Sequence, residues 1–248
     1  MLNGLKEVFS PERLNTYGLN TETEEAVLEK YAENLRIAES FYTAISILEV
    51  CLRNAISEAI HNETPLKSEW LVQEINTRTF LTERMHRKLQ KANSKVLRQL
   101  RNRVSPVAPY GKLVAELTFG FWVHLFTRDY IPGLWMKYNY LFKNVFPNYD
   151  KYIKPDCPNI SGVNTVNVMY SKLKIVLDFR NRVFHYEPIF NHPAGLDNLY
   201  SDIEKIVGAM SEDALGYMQK YCRFSEIRQV QSLSLIHISE PTRPEPIS

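Results

Sequence analysis

Cysteine is scarce in this chain. Cys51, Cys157 and Cys222 stand far apart in 248 residues, an odd and unclustered set that argues against a disulfide framework and against a cysteine-based metal centre. Glycine is sparse as well, and no glycine-rich phosphate loop or G-x-S-x-G elbow is present. No His/Cys/Asp cluster has metal-ligand spacing, so neither metal nor cofactor is expected. No apolar run reaches the roughly 20 residues that span a bilayer, and no signal peptide opens the chain; the cytoplasm is the expected compartment, with no membrane partner. Strand-like alternation, internal repeats and low-complexity segments are missing too. The formal charge is only +2, too small to indicate nucleic acid unless the charges are unevenly distributed. With 44% hydrophobic residues, the chain can build a full core.

One segment reads differently from the rest. Leu233 to Arg243, LSLIHISEPTR, is what one frame of a transposon-based sequencing adapter gives on translation, and the tail to Ser248 then reads as index sequence. Residues 233–248 are accordingly expected to be read-through rather than native chain, which removes His237 from consideration. Setting Glu240, Arg243 and Glu245 aside raises the formal charge from +2 to +3. Residues 1–232 are expected to form a single helical domain.

Helical periodicity dominates that span. Met1 to Asn20 is irregular beyond a helical turn. Thr21 to Tyr42 opens with acidic residues that suit a helix N-terminus, and a second helix or a continuation runs to about Ile60. Its stripe is Phe41, Ile45, Leu48, Leu52, Ile56 and Ile60. Glu49 lies beside this stripe, four residues before Arg53, so it either forms an i,i+4 pair or turns inward toward another cation. Asn62 to Thr82 reads as a connection with a buried Trp70. Then TERMHRKLQKANSKVLRQLRNRV places Met85, Leu89, Ala92, Val96, Leu100 and Val104 on one apolar face. Around it stand Arg84, Arg87, Lys88, Lys91, Lys95, Arg98, Arg101 and Arg103 against the single acid Glu83. A face so one-signed repels itself without an anion, and RNA phosphate is the expected one.

Tyr110 to Arg128 reads as one aromatic-rich helix in which Gly120 marks close packing and His124 is a hydrogen-bonded core residue. A short helix follows from Pro132 to Phe146, and Asn148 to Gly162 reads as a loop. The longest pattern begins at Val163. Val166, Met169, Tyr170, Leu173, Val176, Leu177, Val183 and Phe184 predict a helix with one buried stripe that stops before Pro188. Arg180 falls inside that stripe, where a guanidinium is costly without a partner or anion. Asn181 and His185 are one turn apart, about 40° around the helix, and Arg180 is long enough to join them around one phosphate. Two closing helices follow, LDNLYSDIEKIVGAM and SEDALGYMQKYCRF. The expected fold is all-α, an antiparallel helical bundle with short joints and additional helices.

Arg180-Asn181-x-x-x-His185 at the end of a long helix resembles the R-x4-6-H motif of the HEPN-superfamily ribonucleases. The surrounding LDFRNRVFHYEPIF is similar to the Abi-like (abortive infection) branch, and the resemblance extends to LEVCLRNAI (Leu48 to Ile56) and ELTFGFWVHLF (Glu116 to Phe126). It implies a HEPN-like bundle and a metal-independent endoribonuclease in phage defence or a toxin-like role. It also implies that Arg180, Asn181 and His185 are catalytic and that a homodimer pairs two motifs in one composite site. Tyr186 and Glu187 are expected to support the motif, with Glu49 orienting Arg180. In such chemistry the RNA 2′-OH is the nucleophile, His moves protons and Arg stabilises phosphate charge. Partners would be RNA, a second copy of the chain, and a neutralising antitoxin of protein or RNA. The alternative is a catalytically silent helical module that binds RNA or protein through its basic helix. A helix C-terminus merely capped by cations is the bland reading of the motif.

Overall fold

The structure is a computed structural model that describes residues 2–64, 69–101, 105–138, 140–158 and 162–228. The adapter-like segment 233–248, together with Arg103 and Val104 of the basic stretch, lies outside the described residues.

All regular structure among the described residues is helical. Two short helices open the chain, α1 (Leu2–Phe9) and α2 (Pro11–Asn15), where the sequence pattern predicts only a turn. Ser10 caps α2 by accepting the Arg13 N–H, and Pro11 takes the first helical position, where its missing N–H costs nothing. Helix α3 (Glu24–Glu63) then runs unbroken for 40 residues. Thr23 caps it and Glu24 and Glu25 meet its positive end. The continuation, not a second helix, is correct: Ile37, Phe41, Ile45, Leu48, Leu52, Ile56 and Ile60 hold one buried stripe across the region.

Helix α4 (Trp70–Thr77) occupies part of the expected connection, with Trp70 fully buried. Helix α5 (Glu83–Gln99) carries the basic stretch and ends sooner than its apolar spacing suggests, leaving Leu100 exposed. The aromatic stretch from Tyr110 is two helices rather than one, α6 (Tyr110–Glu116) and α7 (Phe119–His124), separated by extended backbone at Leu117 and Thr118. The segment after Pro132 is divided as well, into a π-helical turn (Ile131–Trp135) and α8 (Leu141–Val145). The expected loop from Asn148 contains α9 (Tyr149–Tyr152) and a 3-10 turn (Lys154–Asp156). Helix α10 (Val163–Phe184) matches the expected long element, and α11 (Leu196–Met210) and α12 (Glu212–Tyr221) close the chain.

The long helix α3 is the axis, contacted by α6, α7, α8, α11 and α12. Helix α10 runs back across α3. Asn34 meets the backbone at Glu187 and Ile189, and Phe41 meets Phe179 with ring centroids 4.7 Å apart. Phe179, absent from the expected stripe, is fully buried, whereas Phe184 is 41% exposed. The pattern overran the helix there, since the chain turns away after residue 184. Tyr170 and Leu177 are only half-buried. Where α11 passes over α9, Gly208 leaves room for the Tyr152 ring; a Cβ there would sit 2.7 Å from Tyr152 Cε1. No helix among the described residues is long and apolar enough to cross a membrane.

Candidate functional site

The basic helix is split by its own geometry. Taking 100° per residue, Arg84, Lys88, Lys91 and Lys95 fall on one stripe, about 100° from the buried stripe of Met85, Leu89, Ala92 and Val96. Two buried polar side chains set the roll of α5. His86 Nε2 lies 3.1 Å from the Glu74 carbonyl. Asn93 donates to the Pro106 carbonyl at 3.1 Å and accepts from the Ala108 N–H at 2.8 Å. With these satisfied, the Arg84–Lys95 stripe faces the break between α6 and α7. Arg98 continues this stripe but lines neither of the cavities at the break, Arg101 lies past the helix end, and Arg87, about 70° away, pairs with Glu83 at 3.1 Å.

That break is built from α3. Arg53 Nη1 donates to the Ala115 carbonyl at the end of α6 at 3.3 Å, and Glu49 Oε1 accepts the Phe119 N–H at the start of α7 at 3.2 Å. A cation at a helix C-terminus and an anion at the next N-terminus is the arrangement both dipoles favour. Among the described residues Glu49 has its ion pair with Arg180, Oε2 to Nη2 at 3.7 Å, rather than with Arg53. Arg180 is half-buried, its Nε is enclosed without a hydrogen-bond partner, and its Cζ lies 4.3 Å from the Phe184 ring centroid. The planar cation is thus held from three sides, by a carboxylate, by an aromatic face and by packing.

Two cavities meet at the break. The first, of about 250 Å³, is lined by Lys88, Lys91, Lys95 and Ala92 of α5 with Glu116, Leu117, Thr118 and Phe121. The second, of about 470 Å³, lies between α5, α7 and α10. Arg84 and Lys88 form one wall, Thr118, Gly120, Val123 and His124 the floor, and Tyr170, Lys174, Leu177, Asp178, Arg180 and Asn181 the other wall. Lys88 and Thr118 belong to both, so the two form one trough. This is why Tyr170 and Leu177 remain half-open: they line a groove instead of closing a core. Gly120 approaches Leu177, but a Cβ would meet that side chain at 3.6 Å, an ordinary contact; the close packing expected of this glycine is not forced.

The trough is electropositive. Lys95 pairs with Glu116 at 2.5 Å, and Lys174 pairs with Asp178. Among the described residues Arg84, Lys88 and Lys91 have no carboxylate partner. Burial, then the neighbouring Arg84, hold the Lys88 ammonium below the usual lysine value, the mark of a cation short of counter-charge. An anion placed between Lys88 and Arg180 would relieve both.

Arg180 and Asn181 line this groove; His185 does not. It is the C-terminal cap residue of α10, exposed, with its N–H bonded to the Asn181 carbonyl at 2.9 Å. The helix ends in a Schellman arrangement: the Glu187 N–H reaches the Arg182 carbonyl at 2.9 Å and the Tyr186 N–H the Val183 carbonyl at 3.1 Å. Tyr186 sits at φ 57°, the left-handed position where glycine is usual. Its carbonyl accepts from Arg13 at 3.3 Å. Glu187 pairs with Arg182 at 3.3 Å, and its carbonyl accepts from the buried Asn34. Tyr186 and Glu187 therefore hold the turn and reach neither Arg180 nor the groove. The motif's three groups are divided between a groove (Arg180, Asn181) and a rim (His185).

A different histidine is in the groove. His124, expected in the core, is half-buried with its side chain toward the cavity. Burial, then Lys88 and Arg84, lower its pKa below the usual 6.5, with Asp129 opposing. The signal for this residue was its place one turn after Gly120, legible only once the α6–α7 break is known. Among the described residues no group of three or more His, Cys, Asp or Glu could hold a metal ion. Set against protein families, curated proteins and solved structures, the chain matches none.

Proposed function

We propose that the trough between α5, α7 and α10 binds single-stranded RNA and that the chain is an endoribonuclease of the HEPN kind, in its Abi-like branch. The observation that carries the reading is the groove-facing cation set, Arg84, Lys88 and Lys91, which lacks carboxylate partners among the described residues and runs directly to Arg180 and Asn181. A stripe of cations suits a strand that lays its backbone along α5 and presents one phosphodiester to Arg180. RNA supplies its own nucleophile, the 2′-OH, so His and Arg suffice. Arg180 stabilises the phosphorane, Asn181 orients the phosphate, and His185 moves a proton.

His185 lies on the rim, among Phe184, Tyr42 and Tyr186, which are 41%, 59% and 64% exposed. Such an apolar rim supports a two-fold pairing in which His185 of one copy enters the groove of the other. A role in phage defence or as a toxin in the cytoplasm, held in check by an antitoxin, follows from the same resemblance. The exposed position of His185 favours one second reading, a catalytically silent RNA-binding module.

The test is cleavage of an oligoribonucleotide in excess chelator. The proposal expects 2′,3′-cyclic phosphate and 5′-OH ends, and loss of cutting in both Arg180→Ala and His185→Ala, each still folded. Binding without cleavage supports the silent module. Cleavage that needs added metal, or a fully active His185→Ala, removes the proposed mechanism.

A further inference from the structure

The groove contains a titratable group that the Arg-Asn-x-x-x-His motif leaves out. His124 ends α7, and its side chain lines the same cavity as Lys88, Arg180 and Asn181. Its ring stands edge-on to Tyr130, centroids 6.2 Å apart at 74°, which fixes the plane without using the nitrogens. Among the described residues neither ring nitrogen has a hydrogen-bond partner; the Thr127 hydroxyl and N–H, at 2.8 and 3.1 Å, reach the His124 carbonyl and not the ring. A half-buried imidazole with free nitrogens, beside the cations Lys88 and Arg84 and on the wall of a groove, is poorly explained as packing.

We infer that His124 is a catalytic base of this groove, touching the ribose whose phosphodiester is held by Lys88 and Arg180. The inference rests on the RNA-cleaving reading above. Neutral His124 takes the 2′-OH proton as the 2′-oxygen bonds to phosphorus. The P–O5′ bond breaks, and the leaving oxygen takes a proton from the imidazolium of His185 of the second copy. The products are the cyclic phosphate and the 5′-OH, and both imidazoles reset by proton exchange with water. The environment suits the base role. Arg84 and Lys88 act on His124 from α5 with Asp129 opposing them, Tyr130 stands against the ring, and Tyr170, Lys174, Asp178 and Arg180 of α10 line the cavity's other wall. Burial and the cations keep the ring neutral at pH 7.

The experiment measures single-turnover cleavage by wild type, His124→Ala and His124→Gln, affinity for a 2′-O-methyl oligonucleotide, and the imidazole Cε1–H NMR signal of His124 in wild type as that oligonucleotide is added. The expected result is a rate loss of about 100-fold or more with affinity within about threefold. The acidic limb of the pH–rate profile, set below pH 6.5 in wild type, should be lost, and the His124 signal should move on binding. His124→Gln keeps a polar group of similar size and carries the test if the alanine variant fails to fold. A His124→Gln enzyme that cuts at the wild-type rate overturns the inference and leaves the nuclease reading standing. Wild type that binds but never cuts overturns that reading and the base role together. A moving His124 signal would then retain only its contact with RNA, and an unmoved one would remove that as well.

Discussion

At the scale of single residues, the turn after α10 carries the clearest local cost. Tyr186 holds a left-handed backbone that disfavours a side chain by about 1–2 kcal/mol, and it does so beside His185, whose backbone it helps to set. Glycine would relieve this conformation, less the entropy it adds to the unfolded chain. Tyr186→Gly is therefore expected to raise stability by about 0.5–1 kcal/mol, read by denaturant unfolding. A loss instead would mean that the exposed ring contributes packing not visible in a single chain. Arg180, Asn181 and His185 were legible as a spacing, because helical geometry alone brings Asn181 and His185, four apart, together and Arg180 adjoins them. Their division between groove and rim was not, since it depends on where the helix stops and how the next three residues turn.

Among elements, the break between α6 and α7 organises the site. Continuous periodicity from Tyr110 predicts one helix, and the break comes from contacts at long range: Phe119 with Glu49, 70 residues away in sequence, and Ala115 with Arg53, 62 away. Local pattern carries no trace of such capping. The same gap explains why His124 read as core; only the redirected α7 aims it at a cavity. The α5 stripe was more accessible. Its 84–88–91–95 spacing, which Arg98 continues, is visible in sequence, but telling the groove-facing cations from Arg87 required the roll that His86 and Asn93 impose. Glu49 joins two elements and makes a discriminating variant. Glu49→Ala leaves the Phe119 N–H without its acceptor and Arg180 without its ion-pair partner, a loss of about 1–3 kcal/mol. Glu49→Gln keeps an acceptor for Phe119 and should cost less than half as much, while loosening Arg180 and slowing cleavage. Equal melting temperatures for wild type and Glu49→Ala would show that the break forms without this cap.

For the whole molecule, the all-α class was legible throughout, because amphipathic periodicity persists in every long segment and no alternation competes with it. The extra short helices between Tyr130 and Asp156 were not, since segments of three to five residues are stabilised by their packing rather than by their own propensity. The groove and the rim histidine lie on different parts of one chain, so the nuclease reading expects a homodimer in which each copy completes the other. Mixing inactive Arg180→Ala with inactive His185→Ala should restore part of the activity, because one groove of each mixed dimer then has a working arginine and a working histidine. No recovery, with mixed dimers demonstrated, would contradict the composite arrangement.

The central claim is that RNA lies in the trough and not merely near a basic helix. Two double variants separate these at equal charge: Lys88→Glu, Lys91→Glu inside the trough, and Arg87→Glu, Arg101→Glu outside it. The measurement is the affinity of each for a 2′-O-methyl oligonucleotide across a salt series. Each lost phosphate contact should lower the slope of log K against log salt by about 0.7. The account predicts a slope reduced by about 1.4 for the inner set, and an affinity loss at least tenfold greater than for the outer set. Equal losses and equal slopes for the two sets would contradict it.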